Sequence, residues 1–201
     1  MPARHCPVPD APLPPPGDQA IAAMPVLTGG RVRLRPFGPD DICDTYLGWL
    51  HDPEVLRYSN QRFVQHSRAT CQRYLDSFAG TANHFISVRL AGDDRPIGTL
   101  TAYRSLPHGT VDIGILMGER SVWGQGLGLD AFSTLVQWWL TVPGIRKITA
   151  GTLRCNVGML RVAERAGLAL EAVRPAQELV DGVPTDLCLY ARFTGAGSCT
   201  R

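Results

Sequence analysis

The chain has 201 residues, of which 44% are hydrophobic and 19% are charged, enough for one domain with a hydrophobic core and an additional tail. The 20 Lys and Arg residues nearly balance the 18 Asp and Glu residues, and the net charge of +2 argues against a protein that binds nucleic acid through a basic excess. We find neither a long apolar run nor a signal peptide, and therefore expect no membrane contact and a cytoplasmic location.

The two ends of the chain differ in composition from the middle. Residues 1–27 are interpreted as a disordered proline-rich extension, because proline lacks an amide donor and breaks both helices and strands. A single domain is predicted over residues 28–195, followed by a flexible tail at 196–201. The six cysteines show no metal-binding spacing, so we expect reduced thiols and no metal site.

The first predicted elements are a strand and two helices. Residues 31–35 alternate polar and apolar side chains, which is typical of a half-buried strand. A helix is predicted after Pro39 and ends before Pro53, where proline stops it. Residues 54–65 are interpreted as irregular, and residues 67–79 as a second helix.

The next predicted elements are strands at 84–90, 96–103 and 110–117, and the short turn sequences between them favour an antiparallel meander. A glycine-rich turn then leads into a helix that Pro143 ends. The last predicted elements are a strand at 147–153, a helix from Asn156 to Gly167, and strands at about 170–180 and 185–193. Because a helix separates the strands at 110–117 and 147–153, these two strands are expected to be parallel neighbours.

The glycine-rich turn carries the strongest chemical signal. Gly124, Gly126 and Gly128 allow a ligand to approach the backbone closely, and the following helix start offers unpaired N–H groups. A pyrophosphate fits such a place. The spacing excludes a Rossmann fingerprint, and no Gly-Lys-Ser/Thr of a P-loop is present. A tight turn that serves only packing is the remaining alternative.

The order of elements and three segments together resemble the GNAT superfamily of N-acetyltransferases. The WGQGLG segment at 123–128 is similar to the family signature Arg/Gln-x-x-Gly-x-Gly/Ala, with Trp123 at the first position. Residues 112–118 resemble the preceding family strand, and residues 156–168 resemble the family helix that begins with Asn. Residues 49–55 resemble the branch that includes ribosomal-protein N-terminal acetyltransferases, and amino-sugar N-acetyltransferases are also similar.

The resemblance implies an α/β (α+β) fold: a mixed, mostly antiparallel twisted sheet with a splayed parallel strand pair and helices on both faces. Acetyl-CoA is the implied co-substrate, with its pantetheine arm in the gap between the splayed strands and its pyrophosphate on the glycine-rich turn. The implied cofactor-binding residues are Leu116, Met117, Gln125, Gly126, Leu127, Gly128 and Asn156.

The catalytic groups are less well defined. Asp112 is the first candidate for the base that deprotonates the amine, and Glu119 is the second, although either carboxylate could simply be solvated. The helix position where many family members carry a tyrosine acid is Ala163 here. Tyr103 and Tyr190 are alternatives that the sequence does not rank.

The acceptor is expected to meet the loop between the first two helices, through Tyr58, Asn60, Arg62 and His66. This loop contains arginines and no carboxylate, which favours an anionic acceptor over a purely solvated loop. The sequence thus predicts an enzyme that transfers acetyl directly to a primary amine of a small molecule, such as a nucleotide-linked amino sugar. A protein N-terminal acetyltransferase and a non-catalytic CoA-binding module are the alternatives. No nucleic-acid partner is expected, and a homodimer is compatible with the sequence.

Overall fold

An eight-stranded sheet runs through residues 24–195, the part of the chain that the computed structural model describes. The elements are β1 (Leu27–Thr28), β2 (Val32–Pro36), α1 (Asp44–His51), α2 (Pro53–Leu56), α3 (Arg68–Asp76), β3 (His84–Leu90), β4 (Pro96–Ser105), β5 (Thr110–Leu116), α4 (Leu127–Thr141), β6 (Lys147–Leu153), α5 (Val157–Arg165), β7 (Ala169–Val180) and β8 (Val183–Phe193). The strand order is β1-β2-β3-β4-β5-β6-β8-β7. Short 3-10 helices lie at Pro39–Asp41, Asn60–Phe63, Leu106–His108 and Arg120–Val122.

The pairing of the strands confirms the predicted mixed sheet. Every neighbouring pair is antiparallel except β5 and β6, which are parallel. The connection between these two strands contains α4, as expected because a parallel pair needs a long crossover.

Two hydrophobic clusters show that helices cover both faces of the sheet, as predicted. Because side chains alternate along a strand, Phe85 packs on one face and Ile86 on the other. The face of Ile86 packs against α4, whose Phe132 and Trp139 are fully buried. The face of Phe85 packs against α1, α2 and α3. The sheet is therefore the middle layer between two helical layers.

The region after β2 contains more helix breaks than predicted. The first predicted helix is divided into a 3-10 turn at Pro39–Asp41 and α1, which starts only at Asp44. Residues 54–65, predicted to be irregular, contain part of α2 and a 3-10 helix. The Asp52 side chain accepts the N–H of Glu54 at 2.9 Å, and Pro53 occupies the first helical position, so a local cap starts α2 directly after α1.

The described domain begins before the predicted boundary at residue 28. Met24 is buried in the core, and Leu27 in β1 pairs with Leu34 in β2. Residues 24–27 are therefore ordered, in contrast to the expectation of a disordered extension that reaches residue 27. The rest of that extension and the predicted tail lie outside the described residues. Within residues 24–195, no helix has the length and hydropathy needed to cross a membrane.

A buried carboxylate connects the start of the domain to the middle of the sheet. Arg35 donates two hydrogen bonds to Asp41, both at 2.8 Å, and Arg89 donates a third at 3.0 Å. The backbone N–H of Gly38 donates to the same carboxylate at 2.8 Å. Since Asp41 is only 7% exposed, these donors replace the water that its charge has lost.

We predict that Asp41→Asn lowers the free energy of unfolding by about 2–3 kcal/mol, because charge-assisted hydrogen bonds are lost and Arg35 keeps uncompensated charge, while Arg89 still pairs with Asp94. Urea denaturation measures the change. Asp44→Asn is the matched control, since Asp44 also pairs with an arginine, Arg68, but is almost fully exposed. Equal losses in the two variants would contradict the role of burial in this network.

Candidate active site

The site is built on the point where β5 and β6 separate. Their parallel pairing extends over only three positions and ends at Asp112 opposite Thr149. Beyond this point β5 stays paired with β4 as far as Leu116, and β6 stays paired with β8 as far as Leu153. The two strands therefore diverge and leave a wedge between them, which confirms the predicted splayed pair.

Close packing shapes the end of β5. A Cβ on Gly98 would overlap the carbonyl oxygen of Leu116, and a Cβ on Gly118 would overlap the ring of Trp49. The indole N–H of Trp123 donates to the carbonyl oxygen of Met117 at 2.9 Å. Trp123 thus replaces the Arg or Gln of the family signature with a side chain that holds the strand end.

The glycine-rich turn lies at the mouth of the wedge. Gly124 and Gly126 have φ angles of 74° and 80°, a left-handed conformation that favours glycine. The 15-residue helix α4 starts at Leu127, and its first N–H groups have no partner within the helix. The positive end of the helix dipole adds to these donors, so the turn is suited to an anion.

A cavity of about 580 Å³ occupies this region, and we call it the wedge cavity. Its walls come from the end of β5, the glycine-rich turn, the start of α4, helix α5, and the segment from α2 into the following loop. Seven of the predicted site residues line it: Tyr58, Leu116, Met117, Gly126, Leu127, Gly128 and Asn156.

The wedge cavity has a cationic wall that the sequence analysis did not identify. Arg161 and Arg165 both line it from α5, and neither guanidinium has a hydrogen-bond or ion-pair partner among residues 24–195. Their i, i+4 spacing on one helix face was the available signal. Asn156 lines the same wall while its side chain accepts the N–H of Met159 at 3.2 Å, so it also caps α5. The free arginines and the bare helix start fit the phosphates of CoA.

Asp112 lies at the fork itself, but it does not line the wedge cavity. It shares the sheet face of Leu116, which is four residues or about 13 Å further along the strand. Although the side chain keeps contact with solvent, partial desolvation of its carboxyl group raises its pKa, and a hydrogen bond donated by Thr149 at 2.6 Å acts in the opposite direction. A carboxyl group with a raised pKa is a better proton acceptor than an ordinary aspartate.

Glu119, the second candidate base, is used in the local structure. Its carboxylate accepts the Ser121 hydroxyl and the Ser121 N–H, and it pairs with Arg95 at 3.5 Å. These contacts, the Ser121 hydroxyl first, lower its pKa. Neither Glu119 nor Asp112 lines the wedge cavity, so the two candidates differ in their contacts: the pKa of Glu119 is lowered and that of Asp112 is raised, which makes Glu119 the weaker proton acceptor.

The arginines of the loop between α2 and α3 have partners within the protein, whereas the sequence analysis expected them to face an anionic acceptor. Arg57 forms an ion pair with Asp181 at the tip of the β7–β8 hairpin, with an N–O distance of 3.0 Å. Arg62 donates to the carbonyl oxygens of Ser59 and Leu179, both at 2.9 Å. Both cations therefore already have partners in the protein, so an anionic acceptor would have to compete for them.

Two further predicted acceptor residues also lie outside the cavity lining. His66 is within 2.9 Å of the carbonyl oxygen of Gln61, so its ring braces the loop. Asn60 starts the 3-10 helix that follows Ser59 and is not part of the lining. Tyr58 is the predicted acceptor residue that does line the cavity, together with Glu54, Arg57 and Ser59. Sequence analysis did not identify Glu54, which lies at the start of the segment 54–65 that it interpreted as irregular.

Helix α5 contributes no tyrosine to the cavity lining. Among the described residues, the tyrosine in the lining is Tyr58, from the segment after α2. Ala163, at the usual tyrosine position, is 1% exposed. The hydroxyl of Tyr103 lies 2.6 Å from that of Tyr74, and the hydroxyl of Tyr190 donates to Glu164. Neither Tyr103 nor Tyr190 lines the wedge cavity, so the two alternatives from the sequence are not supported.

The comparison with known proteins agrees with this geometry. Residues 31–169, more than half of the chain, match the family described as the acetyltransferase (GNAT) domain. The chain therefore belongs to the GNAT acetyltransferase family. It is an acetyl-CoA-dependent acyltransferase with acetyl-CoA as its co-substrate.

Individual relatives are distant in sequence and close in fold. The chain is 24% identical over 170 residues to the probable N-acetyltransferase YjcK of Bacillus subtilis, with 80% of this chain and 93% of the relative covered. It is similar to the solved structure of RimL, a ribosomal L7/L12 alpha-N-protein acetyltransferase in complex with coenzyme A (TM-score 0.75, identity 16%, coverage 86% of this chain and 100% of that chain). It is also similar to the spermidine N-acetyltransferase of Vibrio cholerae in complex with CoA and spermine (TM-score 0.71, identity 14%, coverage 82% and 96%).

We predict that Gly126→Ala weakens the binding of CoA by about tenfold or more, because the left-handed backbone at this position strains any residue with a Cβ and the turn must shift. The substitution should also lower the free energy of unfolding by about 1–2 kcal/mol. Calorimetric titration with CoA and urea denaturation measure the two effects.

Gly80→Ala is the matched control for this prediction. Gly80 has a φ of 69°, no atom would contact its Cβ within 4 Å, and it does not line the wedge cavity. It should lose similar stability while it keeps the affinity for CoA. Unchanged CoA affinity in Gly126→Ala would show that the turn does not depend on this conformation.

Proposed function

We propose that the protein acetylates a small primary amine that carries no phosphate, by direct transfer from acetyl-CoA in a ternary complex. The observation that carries this proposal is the continuity of the wedge cavity. One cavity reaches from the glycine-rich turn and Arg161 to Glu54 and Tyr58 beside the β7–β8 hairpin. A volume of about 580 Å³ is typical of small-molecule sites and would be shared by a pantetheine arm and a compact acceptor.

The charges at the acceptor end support an amine without anionic groups. Arg57 and Arg62 already have partners, so an anionic acceptor would compete with Asp181 and with the carbonyl oxygen of Leu179. The Glu54 carboxylate has no hydrogen bond or close ion pair within residues 24–195, although its charge acts on the neighbouring Arg57. A free carboxylate beside the entrance attracts an ammonium group and repels a phosphate.

The residues of the chain have separable roles in the transfer. Asp112 accepts a proton from the amine through water, since it lies on the same face of β5 as Leu116 and its pKa is raised. Backbone N–H groups near Leu116 and Met117 stabilise the charge that develops on the acetyl oxygen. The bound thioester supplies the acetyl group: a C–N bond forms, the C–S bond breaks, and the thiolate of CoA takes up a proton. Because a thiol has a pKa of about 8.5, this thiolate can leave without a proton from a tyrosine acid.

A panel assay of CoA thiol release tests the acceptor class. Acetyl-CoA is supplied with simple diamines and polyamines, nucleotide-linked amino sugars, and peptides with free N-termini, and kcat/KM should be highest for an amine without phosphate. Glu54→Gln should raise KM for cationic amines by about two- to fivefold, as expected for loss of an exposed ion pair. Activity confined to nucleotide-linked amino sugars would contradict the proposed acceptor. Binding of CoA without thiol release for any amine would contradict catalysis and favour a binding module.

A protein N-terminal amine is the second candidate, and an exposed apolar surface favours it. Phe63, Val64 and Leu179 are 73%, 52% and 57% exposed, and they lie on the loop and the hairpin that Arg62 connects. Such a surface beside a cavity mouth could contact the residues that follow an N-terminal amine. The similarity to the fold of RimL agrees with this candidate, and activity on peptides alone in the panel would select it.

Asp112→Asn should lower kcat/KM by about 10²–10⁴-fold at neutral pH, because it removes the proposed base. The affinity for CoA should stay unchanged, since Asp112 does not line the wedge cavity. Glu119→Gln should retain most of the rate. A wild-type rate in Asp112→Asn would remove this residue from the mechanism.

The pH dependence of stability distinguishes loss of the base in Asp112→Asn from loss of the folded structure. The pKa of Asp112 is raised in the folded state, so its contribution to stability is complete below the unfolded-state pKa and is lost as pH rises through the folded-state pKa. The asparagine introduced by Asp112→Asn does not ionise, so this variant should gain stability relative to the wild type as pH rises. Its activity at neutral pH should nevertheless be lower than that of the wild type. A variant that is both inactive and less stable at neutral pH would point to a structural role.

A further inference from the structure

Arg31, at the start of β2, reaches across to the glycine-rich turn. Its guanidinium group donates to the carbonyl oxygen of Gln125, the residue before Gly126. Arg31 does not line the wedge cavity, whereas Gly126 does. The Arg31 side chain therefore contacts the turn from outside the cavity lining.

Asp130 fixes the backbone from which Arg31 extends. In the first turn of α4, its two carboxylate oxygens accept the N–H of Gly30 at 3.0 Å and the N–H of Arg31 at 2.6 Å. A Cβ on Gly29 would lie 2.8 Å from Asp130 and 2.6 Å from the hydroxyl of Thr134, so Gly29 approaches α4 too closely for a larger residue. These contacts hold the residues before β2 against the start of α4.

The contact with Gln125 has a consequence for Gly126. The carbonyl of Gln125 and the N–H of Gly126 belong to the same planar trans peptide and point in opposite directions. Arg31 holds the carbonyl outward, and the N–H is therefore turned away from Arg31. The carbonyl of Gly126 is also fixed, because it accepts the N–H of Asp130 at 3.0 Å. Since Gly126 lines the wedge cavity, its N–H is presented to that cavity.

We infer that Arg31 is a positioning residue for the co-substrate: it orients the Gln125–Gly126 peptide so that the Gly126 N–H is available to the pyrophosphate of acetyl-CoA. This inference rests on the proposed role of the glycine-rich turn in binding pyrophosphate. Arg31 acts through the peptide plane, and its charge beside the turn adds to the positive field at the start of α4.

Arg31→Met tests the inference by measurement of two dissociation constants. The constant for CoA, measured by calorimetry, should rise by about tenfold, as expected when a hydrogen bond from a charged group is lost. The constant for S-acetylpantetheine, which has no pyrophosphate, should not change, and NMR titration measures it even in the millimolar range. Arg31→Lys keeps a charged donor and should recover part of the affinity for CoA.

Arg33→Met is the matched control. Arg33 is in the same strand, but its guanidinium pairs with Asp94, away from the wedge cavity. This variant should bind CoA as the wild type does, and thermal unfolding of all three variants reports on their stability. An unchanged CoA constant in Arg31→Met would overturn the inference, and so would an equal rise for both ligands or an equal loss in Arg33→Met.

The NMR amide signals of the wild-type protein test separately the role of Arg31 and the pyrophosphate site on which that role depends. CoA should shift the NMR signals of Gly126 and Leu127, whereas S-acetylpantetheine should leave them in place. If CoA does not shift them, the proposed pyrophosphate site fails. If CoA shifts them equally in the wild type and in Arg31→Met, the site stands and the role of Arg31 fails.

Discussion

The end of pairing between β5 and β6 is the constraint on which the site depends. A sheet normally continues its hydrogen bonds across every interior strand, because buried peptide groups without partners are costly. Here the parallel pair stops at Asp112 and Thr149, while each strand remains paired with its outer neighbour, β4 or β8. β4 and β8 hold β5 and β6 apart, and the peptide groups on the facing edges of β5 and β6 stay available for hydrogen bonds. A ligand that is itself extended and rich in amides can take the place of the missing partner.

Two tryptophans fix where the wedge ends. The ring of Trp49 in α1 lies against Gly118, so the chain turns directly after β5. The indole N–H of Trp123, at the start of the glycine-rich turn, donates to the carbonyl oxygen of Met117. A larger residue at Gly118 would displace Trp49 and with it the cluster that supports α1 and α2. The position of the acceptor loop and the position of the strand end are therefore coupled through one close contact.

The element order and the parallel pair could be predicted from the sequence, because each rests on a local pattern of hydrophobic period or turn chemistry. The cofactor-binding residues are implied by the family resemblance and stay a prediction, although six of the seven, all but Gln125, line the wedge cavity. The state of the acceptor loop could not be predicted. Arg57 and Arg62 look available within their own segment, but their partners in the β7–β8 hairpin lie 124 and 117 positions later. Glu119 likewise looks like a free carboxylate beside the turn, and only the structure shows its contact with Arg95. Predictions of charge availability fail where the partner is distant in sequence.

The unpaired charges of the wedge cavity differ in sign between its two ends. At one end, the start of α4 and the arginines at 161 and 165 form a positive region without partners in the described chain. At the other end, Arg57 is paired with Asp181 and Glu54 contributes a free carboxylate. An anionic carrier and a cationic amine would therefore be drawn to opposite ends of the same cavity, and each would be repelled from the end that the other needs. Under the proposed function, this separation of charge would direct acetyl-CoA and a cationic amine to different parts of the same cavity.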